Sequence, residues 1–421
     1  MIVKTFKKVD EKIYTEKLDN GLEVYLYKTD KTKNFYITIS VKYGARITKY
    51  KKGNKVVDVI PGSAHFLEHK VMALSENKEI SKRINDLGSL ANAWTSYYGT
   101  NYNIFGSINL IENLKLLLDI FYNTNITEKS VEEEKGIIGE EIDMYKDQID
   151  SLMYTKLFDN LFNKTYCKHT VVGEREDIAK ITAKSLNNVY NDYYVPNNTF
   201  IVVTGNFDTE EVMTAIKEYM KKLNQKPKEL PKRIKEKEAE TVSIPYEEIK
   251  KDMENTRVKY AIKMKKNIFG IKDDNILKDY LGIILSNNFS ATSELFERYK
   301  DNEIVIGMNY GVNVIDDYLI ININALTNDG NKFIENIEKD IKKLKLNEEE
   351  FERKKKKYLK SYILDFDNIE DVEYLISLSL MMDGKIDYNE YDKLVNLNYK
   401  EANRIMKLIN YDNVSIIRTI K

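Results

Sequence analysis

The chain has 421 residues, with 66 Lys and Arg against 67 Asp and Glu, three His, one Cys and 42% apolar residues; that length exceeds one ordinary core and suits two domains or more. A net charge of −1 lacks the basic excess of a nucleic-acid binder, and a single Cys excludes an intrachain disulfide framework and any multi-cysteine metal site. No apolar run reaches the roughly 18 residues of a membrane helix, and Met1–Asp10 holds no signal-like apolar core, so the reducing cytoplasm is the expected location.

Leu22–Tyr27, after the turn pair Asn20-Gly21, and Asn34–Tyr43 alternate with period two and predict half-buried antiparallel strands. After Pro61-Gly62 the pattern turns helical to about Met72, continues in a helix near Glu79–Leu87, and returns to strands at Ala91–Tyr98 and Tyr102–Asn109. Helices follow at Leu110–Tyr122 and Glu128–Asp150, then strand Phe200–Gly205 and helix Thr209–Leu223. Residues 225–252 hold three of the five prolines and a dense charge run, the composition of a solvated connector.

Beyond it the order repeats. Strand Arg257–Met264, helices Asn275–Leu285 and Ser293–Lys300, strands Ile304–Val312 and Tyr318–Leu326, a helical stretch from Asn331 to about Leu394 and strand Val414–Thr419 match the first half element by element. The expectation is an α+β protein of two duplicated lobes, residues 1–224 and 253–421, each a mostly antiparallel sheet packed with helices and facing the other across a cleft.

Two of the three histidines fall in His65-Phe66-Leu67-Glu68-His69, on the helix after Pro61-Gly62. Residues four apart on a helix lie on one face, about 5–6 Å apart at Cβ, so two imidazoles there can share one ion, with Glu68 beside them to take a proton from water. A catalytic zinc also needs a third protein ligand and an open position. The acidic residues between Glu132 and Glu141, on the helix Glu128–Asp150, can supply it. A single His on an apolar face is more often a packed core residue, and an acidic helix is usually a solvated surface. Yet with three histidines in 421 residues, this pentapeptide arises by chance only on the order of a few times per thousand such chains.

His-x-x-Glu-His is the inverted zincin motif. Gly62–His69 (GSAHFLEH), Gly88–Thr95 (GSLANAWT) and Glu134–Tyr145 (EKGIIGEEIDMY) together resemble the insulinase/pitrilysin family of zinc peptidases, in particular short two-domain bacterial members related to processing peptidases. The likeness continues through Gly173 (VVGEREDI), Tyr193–Asn198 (YYVPNN) and Gly205–Asp208 (GNFD), and is fainter in the second half.

The resemblance implies His65 and His69 as zinc ligands, one Zn2+ per chain, and Glu68 as the general base. It implies Glu141 as the distal ligand, seven positions after a supporting Glu134, with Glu140 as the competitor about 100° around the helix. It implies Asn92, Ala93 and Trp94 as an edge strand that takes up a peptide as an added strand, and Tyr102 as a group near the scissile bond. Taken alone, a Trp on a strand is more often core, and a structural Tyr102 is an equal reading.

It further implies an endopeptidase cleaving short, extended or unfolded peptides held between the lobes, or a dedicated processing peptidase, working as a homodimer or as a heterodimer with a homologous chain. The rival from another class is a noncatalytic binding or assembly partner on the same duplicated fold. One departure stands out: where many members carry an Arg and a Tyr in the second domain, this chain has Lys300 and Ile306, with Arg298 and Tyr310 nearby. His169, lacking a spaced partner, reads as structural or exposed, and Cys167 carries no thiol-protease signature. The run Glu350–Tyr358 reads as a solvated helix face.

Overall fold

Alternation decides the first sheet. In the computed structural model, which describes residues 1–72 and 78–421, β1 (Ile2–Phe6), β2 (Glu11–Lys17), β3 (Glu23–Lys28) and β4 (Phe35–Val41) are followed by a short hairpin, β5 (Lys49–Lys52) and β6 (Lys55–Asp58). Then come β7 (Leu90–Thr95), β8 (Thr100–Gly106), β9 (Thr199–Gly205) and β10 (Lys232–Arg233). Seven of these form one sheet in the order β1-β2-β3-β9-β4-β8-β7, and β10-β5-β6 form a small second one. Val24 and Leu26 of β3 and Ile37, Ile39 and Val41 of β4 are buried in the core that helix Leu110–Tyr122 also enters. The paired strands β1 and β2 extend this sheet ahead of the first strand expected from sequence.

In the second half β11 (Tyr246–Lys250), β12 (Thr256–Lys265), β13 (Gly307–Ile315), β14 (Tyr318–Thr327) and β15 (Val414–Ile420) form a sheet in the order β11-β15-β12-β14-β13. The stretch β3-β9-β4-β8-β7 of the first sheet has the same order: first, fifth, second, fourth and third strand along the chain. In both sheets only the pair between first and fifth strand is parallel. The architecture is therefore α+β, with one topology built twice.

The compact units interleave, unlike the contiguous 1–224 and 253–421 of the linear reading. One consists of Met1–Lys146, His169–Glu236 and Ile363–Tyr388; the other of Asp147–Lys168, Lys237–Tyr362 and Asn389–Lys421. The helix expected over Glu128–Asp150 ends at Asp147, and a new helix, Ile149–Leu161, packs on β15 and β12 of the second unit. The helical stretch from Asn331 divides into several helices, of which Ile369–Met382 packs on β9 and β4 of the first unit. An amphipathic pattern states that a helix buries one face, not which sheet receives it.

Helix Ile369–Met382 covers a polar sheet face. Glu373, 2% exposed, accepts from Asn101 Nδ2 at 3.2 Å and from Ser377 Oγ, while Thr204 Oγ1 donates to the Ile369 carbonyl at 2.8 Å. Burial raises the Glu373 carboxyl above its ordinary 4.5, against the hydrogen bonds from Ser377 and Asn101. A carboxyl that binds its proton more tightly when folded makes stability fall as pH rises above the unfolded value. Thermal melts between about pH 5 and 8 should therefore show stability declining with pH, and Glu373→Gln should flatten that slope; an unchanged slope in the variant would remove Glu373 as its source.

Candidate metal centre

Ile60-Pro61-Gly62 starts the helix Ser63–Met72. Gly62 has φ +85°, and a Cβ there would lie 2.7 Å from the Val172 carbonyl oxygen and 3.2 Å from Gly173 Cα. Gly173, with φ +77°, meets Gly62 Cα at 2.9 Å in the same sense. Two backbones thus touch where only glycine fits, which pins the start of the helix. Phe66, Leu67 and Val71 bury one face of this helix in the core and fix its rotation, leaving His65, Glu68 and His69 to converge.

The His65 and His69 rings stand 4.6 Å apart. Their Nε2 atoms lie 3.5 and 3.4 Å from the two carboxylate oxygens of Glu141, which comes from the helix Glu128–Asp147. Two ligands 2.0–2.1 Å from a tetrahedral zinc are separated by about 3.4 Å, so the donor set matches zinc in type and in spacing. Among the described residues, these three form the one cluster of His, Cys, Asp and Glu whose ligand atoms could hold a metal, all within 4.8 Å. Glu140, one residue earlier, is exposed and lies 3.5 Å from Arg175.

Glu134, 1% exposed, accepts from His69 Nδ1 at 2.9 Å through one oxygen and from Lys70 Nζ at 3.2 Å through the other. Lys70 Nζ also donates to the Ser130 carbonyl at 3.0 Å. A proton held on Nδ1 leaves the Nε2 lone pair for a metal, the usual orienting contact behind a ligand histidine. Burial pulls the His69 ring down, but Glu134 and Glu141 override it and raise its pKa to about 9; a metal that binds there must displace that second proton. The same histidines hold the Glu141 carboxyl far below its ordinary range.

Glu134→Gln weakens the acceptor for His69 Nδ1. Zinc affinity should fall about 10–100-fold by competition with a chelator. Wild-type affinity in a folded Glu134→Gln protein would show that His69 needs no such support.

Glu68 sits half-buried beside the histidines, its Oε2 accepting from Thr95 Oγ1 at 2.5 Å. Burial raises its pKa, against the nearby His65, Thr95 and His69, so this carboxylate is a stronger base than one in water. Sequence reasoning had not singled out Thr95 as a partner of Glu68, nor Lys70 as a partner of Glu134. Thr95 ends the quoted segment GSLANAWT, and its pairing with Glu68 requires the sheet to place β7 against the motif helix. Tyr145, which closes EKGIIGEEIDMY, lies beside Glu141 four residues on along the helix.

Asn92, Ala93 and Trp94 lie on β7, which among the described residues pairs only with β8, at the edge of the sheet. Asn92 Oδ1 accepts from the Ala93 amide at 2.9 Å, and Trp94 packs 5.9 Å from the Tyr374 ring. Tyr102 differs from the expectation of a substrate contact. It pairs with Ala93 on the neighbouring β8 but is fully buried, its hydroxyl 2.9 Å from that of Tyr194 and its ring against Phe121. Its side chain belongs to the core.

Lys300 and Ile306 lie in the second unit, Ile306 46% exposed, while Arg298 is held by Asp340 at 2.5 Å. Tyr310 is half-buried on β13. His169 is exposed, and its carbonyl accepts from Tyr97. Cys167 is buried, and burial pushes its thiol well up, away from reactivity.

Fold and site together define a duplicated α+β protein with a cluster of two histidines and one carboxylate in its first half that could hold a metal ion. Residues 25–175 match the family described as insulinase (peptidase family M16), and residues 180–358 match the peptidase M16 inactive domain. The chain belongs to the insulinase family of peptidases. It is 31% identical over 296 residues to the uncharacterized zinc protease YmfH of Bacillus subtilis, covering 69% of this chain and 68% of that protein. It is 26% identical over 215 residues to a protein named probable mitochondrial-processing peptidase subunit beta of Arabidopsis thaliana, half of this chain and 39% of that one. The crystal structure of an M16-like peptidase from Alicyclobacillus acidocaldarius shares the fold, with a TM-score of 0.87 at 22% identity over 97% of this chain and 98% of the other. Among the described residues no helix is long and apolar enough to cross a membrane.

Proposed function

We propose that this chain is a zinc-dependent endopeptidase that cleaves short, extended or unfolded peptides. The observation that carries the reading is the convergence of His65 Nε2, His69 Nε2 and the Glu141 carboxylate at zinc-ligand spacing, with Glu68 alongside. One Zn2+ held by these three residues supplies Lewis acidity toward a peptide carbonyl and makes water a nucleophile near neutral pH. Glu68 performs the proton transfers, accepting a proton from the attacking water and delivering it to the nitrogen of the departing amine. Thr95, bonded to Oε2, sets the rotation of that carboxylate, and Glu134 orients His69. Substrate pairs as an added strand on β7, along Asn92, Ala93 and Trp94, where main-chain hydrogen bonds accept many sequences.

Digestion of an unbiased peptide library by zinc-loaded protein tests this reading. Broad cleavage supports a general oligopeptidase, and cleavage of one narrow class supports a dedicated processing enzyme. No cleavage by a protein that retains zinc counts against the peptidase. We place the activity in the cytoplasm, on the single buried, free Cys167, and in a dimer with itself or a homologous chain, as the relatives named as subunits suggest. Fractionation of the source cells that finds the protein outside the cytoplasm would overturn the first; a monomeric mass by light scattering, alone and with homologous chains, the second.

A second reading, a noncatalytic binding or assembly partner, is favoured by the match of residues 180–358 to a domain described as inactive. It predicts a protein that binds peptide without cleaving it. The ligand set in the first half favours the enzyme.

A further inference from the structure

The second unit carries a built cavity that the metal chemistry does not use. Lys259 of β12, Asn324 of β14 and Asn309 of β13 are register partners, and Arg257, Leu326 and Gly307 form the next row on the same face. Asp150 and Met153, from the helix Ile149–Leu161, complete the lining of a space of about 240 Å³.

The charges in it do not balance. Arg257 donates to both oxygens of Asp150, at 2.7 and 2.8 Å, so those two neutralise each other. Lys259, half-buried, has neither an ion pair nor a hydrogen bond through its ammonium among the described residues. Burial lowers its pKa, Asp150 raises it and Arg257 lowers it again. An ammonium partly withdrawn from water gains most from an incoming anion. Asn324 Nδ2 donates to Asn309 Oδ1 at 2.7 Å, leaving the Asn309 amide hydrogens to serve a ligand. At Gly307 the space is open: a Cβ there would meet nothing within 4 Å, and the residue does not have the positive φ that glycine alone tolerates. Met153 and Leu326 give the same cavity apolar wall.

We propose that this cavity binds a small carboxylate with a neighbouring amide, as in the C-terminal end of a peptide or a free N-acyl amino acid. Lys259 holds the carboxylate, Asn309 the amide, and the space over Gly307 an apolar side chain. The proposal goes beyond the peptidase reading and does not depend on it.

Calorimetric titration of the full-length chain, stripped of metal so that no carboxylate can bind through zinc, tests it. The probes are N-acetyl-L-leucine, its amide, and a hexapeptide ending in Leu as free acid and as C-terminal amide. The acids should bind about tenfold or more tightly than their amides. Lys259→Met should erase that preference, and Gly307→Val, which fills the floor, should weaken every probe. Each variant must unfold at the parent's temperature and with the parent's cooperativity in a thermal melt, which shows it folded. A hexapeptide acid tighter than N-acetyl-L-leucine identifies a peptide terminus as the ligand, and equal affinities identify a free acyl amino acid. Acids and amides that bind equally, acid binding undiminished in both variants, or no saturable binding of either acid would overturn the proposal. None of these readouts requires turnover, so a failed peptidase reading leaves the result unaffected.

Discussion

Glu68→Gln is expected to keep one zinc per chain and to lose peptide cleavage by about 10²–10⁴-fold in kcat. Its carboxylate is not among the three groups that converge at ligand distance, so metal content should not change. The amide is nearly the same size and can still accept from Thr95, so the helix and the Thr95 contact should survive. What disappears is the group that accepts the proton from water and returns it to the departing amine, because an amide does neither at neutral pH. Zinc content by metal analysis, together with kcat and KM on one good library substrate, decides the matter: kcat should collapse while KM stays near the parent value. Undiminished turnover would remove Glu68 from the chemistry and return the site to the noncatalytic reading.

The second large effect separates two adjacent glutamates. Glu141→Gln should weaken zinc binding beyond the roughly 100-fold expected of an outer-sphere change, because it removes the negative oxygens 3.5 and 3.4 Å from the two Nε2 atoms. Glu140→Gln should leave affinity within about twofold, since the exposed Glu140 faces Arg175 at 3.5 Å and contributes only a surface pair. Chelator competition on the two variants side by side measures the difference. Equal losses, or a larger loss at Glu140, would reassign the third ligand. The pair also controls for fold, because both substitutions lie on one helix and change one charge each.

Much of this centre is legible in the sequence because it is local. His65, Glu68 and His69 span five residues, and helical periodicity alone puts the two rings on one face. Glu134 and Glu141 are seven apart and share a helical face by the same rule. Repeated element order also announces two copies of one topology, and both sheets show it. The partners of the functional groups were not legible. Thr95 reaches Glu68 across 27 positions, and Lys70 reaches Glu134 across 64. No pattern within a segment encodes which side chain on another segment will come within hydrogen-bond distance. Tyr102 shows the converse. The resemblance left a place near the scissile bond and a structural role as equal readings, and the sheet turns its ring into the core against Phe121 and Tyr194.

By itself the sequence determined the α+β class and the doubling of the fold, and it named the residues of the candidate metal site, since each depends on residue type and short-range period. Tertiary structure alone decided two further things: that helices Ile149–Leu161 and Ile369–Met382 each cover the sheet of the other half, and that Lys259 lines a cavity in which Arg257 takes both oxygens of Asp150. Each depends on where distant segments pack, and packing is governed by the shapes and charges of both surfaces at once.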